Sequence, residues 1–281
     1  MDGVRPLLRR YHGRNVSEPL HSTRCPNRSD HQLDDGINPP YDLGPARFQR
    51  LHQTLLLCGC PFVALWGSKY LDISKPFSTF LADCQTGSLP NVSFIDPKFL
   101  DEDTGTSADD HPHADIRDGE QFLNQIYNAV RTSPNWSSTV LVINFDEWGG
   151  FYDHVPPPVR LPVPAIQAAV GDLDGRIGFR VPCVIISPFA RHGYVAKEQY
   201  DHTSVLKMIE WRLGLAPLTE RDRDANNLAE ALDFAQPDFP TDAYTVPSGY
   251  LSPPCLPSGT PAELEFNQLR TVASQLGFPG F

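Results

Sequence analysis

Residues 138–154 read STVLVINFDEWGGFYDH, and this stretch decides both the fold class and the position of the candidate site. It begins with an apolar, β-branched run from Val140 to Ile143, which predicts a strand buried on both faces, as is typical of a parallel sheet. Two acids, Asp146 and Glu147, and the turn Gly149-Gly150 follow. A buried strand that ends in two carboxylates needs something to compensate them, and ligands bind at the carboxyl ends of strands in α/β sheets. The stretch therefore predicts a metal site, and a capped polar turn is the structural alternative.

The composition limits the classes of function. The chain has 281 residues, of which 40% are hydrophobic, enough for one large α/β domain or two small ones. A formal net charge of −11 disfavours nucleic acid as a partner. No run reaches the roughly 18 apolar residues that a transmembrane helix requires. The N-terminus lacks the apolar core of a signal peptide, so the sequence leaves the location of the protein open.

The sequence predicts two regions. Residues 1–60 are polar and without periodicity, and we expect an irregular or degraded leader there. Residues 61–281 contain alternating helical and strand patterns, which indicate an α/β domain. The predicted strands are Asn91–Ile95, Val140–Ile143 and Gly178–Ile186. The predicted helices are Arg47–Leu57, Phe77–Cys84 ended by Gly87, Asp118–Thr132 with Asp118 as cap, Thr203–Leu213 ended by Gly214, Thr219–Leu232 and Pro261–Leu276.

Two histidines follow aspartates in predicted loops or at helix starts. His111 lies after Asp109-Asp110 in a long polar connection, where it is either a ligand or simply exposed, and exposure is favoured. His202 follows Asp201 at the start of the predicted helix Thr203–Leu213. Capping by Asp201 is favoured there over catalysis.

Five segments, in order, closely resemble the bacterial phosphoesterase family, which includes phospholipases C and an acid phosphatase. They are LPNVSFIDP (89–97), DHP (110–112), DEWGGFYDHVPPP (146–158), RVPCVIISP (180–188) and YDHTS (200–204). The similarity extends from about Pro61 to Phe234. The order of five motifs makes it specific, since each alone would be weak.

The resemblance implies an alkaline-phosphatase-like fold, an αβα sandwich with a mostly parallel sheet and metal at its carboxyl edge. It implies that Asp146 and Glu147 are metal ligands. It also implies that His111 faces the phosphoryl group, where it stabilises charge or protonates the leaving oxygen. His154 lies in the signature and is a catalytic candidate, with a hydrogen bond that holds the glycine turn as the alternative. Oxygen ligands suit Ca²⁺, Mg²⁺ or Mn²⁺, and mixed nitrogen and oxygen ligands would admit Zn²⁺.

One departure from the family pattern bears on activity. Family members begin with an apolar strand followed by Glu-Asn-Arg-Ser-Phe-Asp, and a later segment supplies a Ser or Thr nucleophile. The counterpart here, Pro26 to His31, lacks the acid and the Phe. We therefore expect a partial catalytic domain, incomplete at the N-terminus, whose hydrolysis of phospholipid or other phosphoesters is impaired. The alternative is a non-catalytic α/β remnant that binds an anion or a partner. Family members are usually secreted or periplasmic, although this chain shows no export signal.

Overall fold

The computed structural model describes residues 53–57, 62–99, 107–111, 114–160, 174–239, 242–246 and 271–278. All of them belong to one unit of the chain, residues 45–281. Most of the predicted leader lies outside the described residues, as does the segment 26–31. The boundary near residue 60 therefore stays a prediction.

Three parallel strands form the first sheet. β1 (Gln53–Leu57) lies between β2 (Ser74–Pro76) and β3 (Val92–Asp96), and a 3-10 helix, Phe62–Ile73, connects β1 to β2. The predicted strand near 91–95 is confirmed as β3. The helix predicted over 47–57 is wrong within β1, because the consecutive leucines at 55–57 pair with strands on both sides instead of forming a helix stripe.

The central stretch forms β4 (Leu141–Asn144), which pairs with β5 (Cys183–Ile186). Both strands were predicted, and both are confirmed. Their pairing is antiparallel, from Leu141 opposite Ile186 to Asn144 opposite Cys183. The parallel setting expected for β4 is therefore wrong for this pair. The expected burial of β4 on both faces is wrong as well, because its residues are only partly buried and Asn144 is exposed. An apolar run does not encode the direction of the neighbouring strand. The observed class is mixed α/β.

Helices α1 (Phe77–Thr86) and α2 (Ile116–Arg131) enclose the main described core. α1 ends at Gly87 in the left-handed conformation, as predicted, whereas Asp115 rather than Asp118 caps α2. Partly buried residues of β3, β4 and β5 pack against the same core, so it holds the ends of both sheets in place. Its buried members are Phe80, Cys84, Ile126, Val130 and Trp136, and the strand residues are Ile95, Leu141 and Ile186.

The later helices follow the prediction in part. α3 (Thr203–Leu213) ends at Gly214 as expected. The helix predicted over 219–232 is wrong as one element, because α4 (Glu220–Arg223) and a separate 3-10 helix, Leu228–Ala231, occupy that range. Residues 271–276 are helical, and the rest of the last predicted helix lies outside the described residues. In the described ranges no helix combines the length and apolarity needed to cross a membrane.

Candidate functional site

The two acids of the central stretch project from a turn just past β4. Asp146 and Glu147 are both exposed. The Glu147 Oε2 atom accepts a hydrogen bond of 2.9 Å from the backbone of Gly149, which folds the turn back on itself. Because both carboxylates are exposed, water can solvate them, and burial gives no reason for a compensating cation here. The metal prediction then depends on the signature and on the neighbouring groups.

One such neighbour is Asp96, which is buried at the end of β3. Its Oδ2 atom has no hydrogen-bond partner among the described residues. Burial and the negative charge of Asp146 raise the pKa of Asp96 to about 7. The carboxyl ends of β3 and β4 therefore bring two acids within interaction range. Asp96 was not predicted as a site residue, although its place at a strand end matches that of Asp146.

The carboxylate oxygens beside the ends of β3 and β4 are suited to bind a hard cation. Asp146, Glu147 and the unpartnered oxygen of Asp96 offer carboxylates, the ligands that Ca²⁺ and Mg²⁺ prefer. Within the part of the chain that the structure describes, however, no three or more His, Cys, Asp or Glu side chains are grouped to hold a metal ion. The described residues at the ends of β3 and β4 therefore form no complete metal site by themselves.

His111 is exposed, which was the favoured prediction for its side chain. Its backbone N–H donates to the Asp109 carboxylate at 3.2 Å, and the Ser107 hydroxyl donates to the same oxygen at 2.7 Å. On the other side, its carbonyl accepts from the backbone of Ala114 at 2.9 Å. These contacts hold the loop backbone, and the role of the imidazole stays a prediction.

His154 is highly exposed, with 78% of its side chain accessible. Its Nδ1 atom lies 3.8 Å from the neighbouring Asp153 carboxylate. The described hydrogen bonds of the glycine turn are accepted by the Glu147 carboxylate, from Gly149, and by the Trp148 carbonyl, from Phe151. These groups, and not His154, hold the turn. Its catalytic role stays a prediction.

Asp153 anchors the signature segment to the approach to β5. The Arg180 guanidinium donates to both of its carboxylate oxygens, at 2.9 and 2.8 Å, and the Val155 backbone N–H donates at 3.0 Å. The hydrogen bonds from Arg180 and then Val155 hold the pKa of Asp153 well below its usual range. This two-pronged ion pair was not predicted.

The start of α3 also contacts the site. His202 rather than Asp201 occupies the N-cap position of α3, so the capping prediction for Asp201 is wrong in position, although the Asp201 carboxylate accepts a hydrogen bond of 2.8 Å from the first backbone N–H of the helix, that of Thr203. The His202 Nε2 atom lies 3.0 Å from the carbonyl oxygen of Phe145, the residue before Asp146. A carbonyl only accepts, so Nε2 carries the proton of this bond. This contact was not predicted, because no local sequence pattern reveals it.

Several aromatic side chains lie exposed beside the two acids. We call Trp148, Phe151, Tyr152 and Phe179 the aromatic surface. Their exposed fractions reach 89% at Tyr152, and the rings of Trp148 and Phe179 are in contact, with centroids 4.8 Å apart. The site thus combines acids with a large accessible apolar area.

Comparison with known proteins places these elements in one family. Residues 66–216, just over half of the chain, match the phosphoesterase family. The chain belongs to the phosphoesterase family, as the ordered motifs predicted.

The curated relatives are phospholipases. The chain is 36% identical to non-specific phospholipase C6 of Arabidopsis thaliana over 159 residues, which are 51% of this chain and 30% of that protein. It is 34% identical to non-specific phospholipase C3 of the same plant over 184 residues, 60% of this chain and 35% of that one. It is also 34% identical to phospholipase C B of Mycobacterium tuberculosis over 178 residues, 58% of this chain and 33% of that one. The chain spans about a third of the length of these relatives.

Proposed function

We propose that this chain acts in the metal-dependent hydrolysis of phosphoesters, with phospholipid as its substrate. The observation that carries the proposal is the signature segment, which presents Asp146 and Glu147 just past β4 within the span matched to the phosphoesterase family. The proposed architecture is an alkaline-phosphatase-like αβα sandwich with a mostly parallel sheet. The parallel pairing of β1, β2 and β3 supports it.

The proposed roles follow from the side-chain chemistry. Asp146 and Glu147 supply two oxygen ligands to a divalent cation, with Ca²⁺, Mg²⁺, Mn²⁺ and Zn²⁺ as the candidates. When bound, such a cation neutralises charge on the non-bridging oxygens of a phosphoester. His111 is accessible to a substrate and donates a proton to the leaving oxygen or stabilises the charge that develops on the phosphoryl group. His154 is accessible as well and is the second candidate for proton transfer.

The aromatic surface supports phospholipid as the substrate class. Trp and Tyr side chains combine an apolar ring with a polar atom, which suits the boundary between lipid head groups and acyl chains. The curated relatives are named phospholipases C. We propose that the aromatic surface contacts the apolar part of the lipid while the acids lie near its head group.

We further propose that turnover by this chain is weak. A catalytic metal ion normally has three or more protein ligands, and the described residues at this edge form no such group. The same observation, with the exposure of both acids, favours one second candidate. It is a non-catalytic α/β protein that keeps the fold and binds an anion or a partner.

Hydrolysis assays test both candidates. The full chain is assayed on p-nitrophenyl phosphate and p-nitrophenylphosphorylcholine, with each divalent cation added in turn. We expect slow, metal-dependent release of p-nitrophenol, faster from the phosphorylcholine ester, and its loss in Asp146→Ala. The control is Asp174→Ala, an exposed acid outside the signature, which leaves the rate unchanged.

Each of the other outcomes rejects one part of the proposed function. Turnover that persists in Asp146→Ala would show that Asp146 does not belong to the active site. Fast metal-dependent turnover that Asp146→Ala abolishes would show that the chain is not impaired in hydrolysis. An inactive wild-type chain under every condition rejects hydrolysis and leaves the binding protein.

A further inference from the structure

Asp110, the residue before His111, has an unusual backbone conformation. Its φ angle is 61°, and among the described residues no other non-glycine residue has a positive φ. Aspartate tolerates this left-handed region better than most residues, but the conformation remains unfavourable. Such conformations persist where the surrounding structure imposes them, and they concentrate at functional sites.

Asp110 packs against Gly119, a buried glycine in the early part of α2. A Cβ atom at Gly119 would lie 2.0 Å from the Oδ1 atom of Asp110 and 2.7 Å from its Cγ atom. The carboxyl group thus fills the space that a side chain at position 119 would need. Glycine weakens a helix relative to alanine, so its place inside α2 has a packing reason.

The carboxyl group of Asp110 is held in a restricted environment. Its Oδ1 atom is buried and has no hydrogen-bond partner among the described residues. Burial, followed by the charges of Glu120 and Asp109, raises the pKa of Asp110 to about 6. The nearby N-terminus of α2 favours a negative charge and opposes these effects. An asparagine would keep the shape of this group without its charge.

The loop on either side of Asp110 is also fixed. Asp109 binds the backbone N–H of His111, and the carbonyl of His111 accepts from Ala114, next to the α2 cap Asp115. The Ala108 backbone donates to the Lys98 carbonyl at 2.8 Å, which ties the loop to the segment after β3. His111 is exposed at the centre of this loop, whose backbone these hydrogen bonds fix.

We propose that Asp110 is a positioning residue for His111. Its carboxyl group, packed over Gly119, fixes the left-handed turn that presents the imidazole in one orientation. Asp110 itself touches no substrate and moves no proton. The inference rests on the proposed function, in which His111 acts at the phosphoryl group.

The test uses nuclear magnetic resonance on the full chain without substrate, followed by kinetics. Gly119→Ala displaces the carboxyl group, and Asp110→Gly removes it while tolerating the left-handed backbone. In both variants we expect the backbone order parameter of His111 to fall and its imidazole signals to shift. We expect kcat to fall about tenfold with KM unchanged, as for a misplaced catalytic group. Gln121→Ala, an exposed change in the same helix, keeps wild-type signals and rates.

Two further variants separate positioning from general stability. Asp110→Asn keeps the shape of the side chain, so it retains the wild-type order of His111. The double variant Asp110→Gly with Gly119→Ala has no clash and recovers thermal stability, yet His111 stays mobile in it. Wild-type His111 signals in folded Gly119→Ala or Asp110→Gly would overturn the inference. Altered signals together with an inactive wild-type chain would support positioning while rejecting the proposed function.

Discussion

Single residues decide how the signature segment is held. Asp153 and Arg180 belong to different motifs, 27 residues apart. The Arg180 guanidinium donates one hydrogen bond to each carboxylate oxygen of Asp153, which makes the pair bidentate. Such a geometry depends on the planar guanidinium group. Asp153 also binds the Val155 backbone, so one carboxylate links the loop to the approach to β5.

Arg180→Lys tests this link. Lysine keeps the charge but cannot form the two-pronged contact, so we expect the loop at 151–155 to loosen while the global fold persists. The amide hydrogen of Val155 should exchange several-fold faster. Arg176→Lys is the matched control, because Arg176 pairs with its near neighbour Asp174 in an exposed contact. Unchanged exchange at Val155 in Arg180→Lys would show that the pair does not hold the loop.

The sequence revealed only part of the candidate site. Asp146, Glu147 and His111 were accessible to prediction because they lie within recognisable motifs. Asp96 and His202 lie in quoted motifs as well, but neither was assigned to the site, because their significance comes from the burial of Asp96 beside the charge of Asp146 and from the contact of His202 with Phe145, far along the chain. A pattern of residue types does not encode such distances.

At the scale of elements, helix ends were predicted better than strand pairing. α1 and α3 both end at a glycine in the left-handed conformation, Gly87 and Gly214, as the sequence indicated. Glycine at this position is a local signal and needs no tertiary information. By contrast, β1 was mistaken for a helix and β4 for a parallel strand, because partners distant in sequence decide both.

The two helix ends offer a matched pair of substitutions. Gly214→Ala meets nothing within 4 Å, so its cost is the left-handed backbone alone, about 1 kcal/mol. Gly87→Ala has the same backbone cost, and its Cβ would also lie 3.1 Å from the Pro134 side chain. We expect Gly87→Ala to lower the free energy of unfolding by more than Gly214→Ala does, by roughly a further 0.5–1 kcal/mol. Urea unfolding measures both, and equal losses would show that Pro134 yields without cost.

At the scale of the whole molecule, the family and the mixed α/β class followed from the sequence, because five motifs in order and alternating elements extend over much of the chain. The pairing of charged groups in its interior did not follow from the sequence. Glu210 of α3 and Asp222 of α4 are both buried near each other, and two neighbouring buried carboxylates favour a state in which one of them holds a proton. Composition does not show which acids meet in a core.

The proton belongs to Glu210. Burial, and then the neighbouring Asp222 carboxylate, raise the pKa of Glu210 to about 7, and neither Glu210 carboxylate oxygen has a hydrogen-bond partner among the described residues. Burial also acts to raise the pKa of Asp222, but the neighbouring Glu210 carboxyl group and the hydrogen bonds from Thr219 and the Leu218 backbone outweigh it and lower that pKa to about 2. Near pH 4 the native pair is therefore one neutral acid and one carboxylate.

This pair makes the stability of the fold depend on pH with a definite sign. The folded pKa of Glu210 lies above its ordinary value of 4.5, so its contribution is complete below pH 4.5 and is lost as the pH rises through about 7. Asp222 acts oppositely: its contribution is complete above pH 3.8 and is lost as the pH falls through about 2. Stability due to the pair should therefore decline between pH 5 and pH 8.

Glu210→Gln isolates the first of these effects. Glutamine keeps an N–H that can donate to Asp222, and it does not titrate, so the variant should lose little stability on passing from pH 5 to pH 8. The wild-type chain should lose about 1–2 kcal/mol more over the same range. Urea unfolding at both pH values measures the difference, with Glu220→Gln, an exposed change on α4, as the control. Parallel pH profiles for wild type and Glu210→Gln would place the proton elsewhere, since a buried glutamate that must ionise beside Asp222 cannot leave the stability of the fold unchanged.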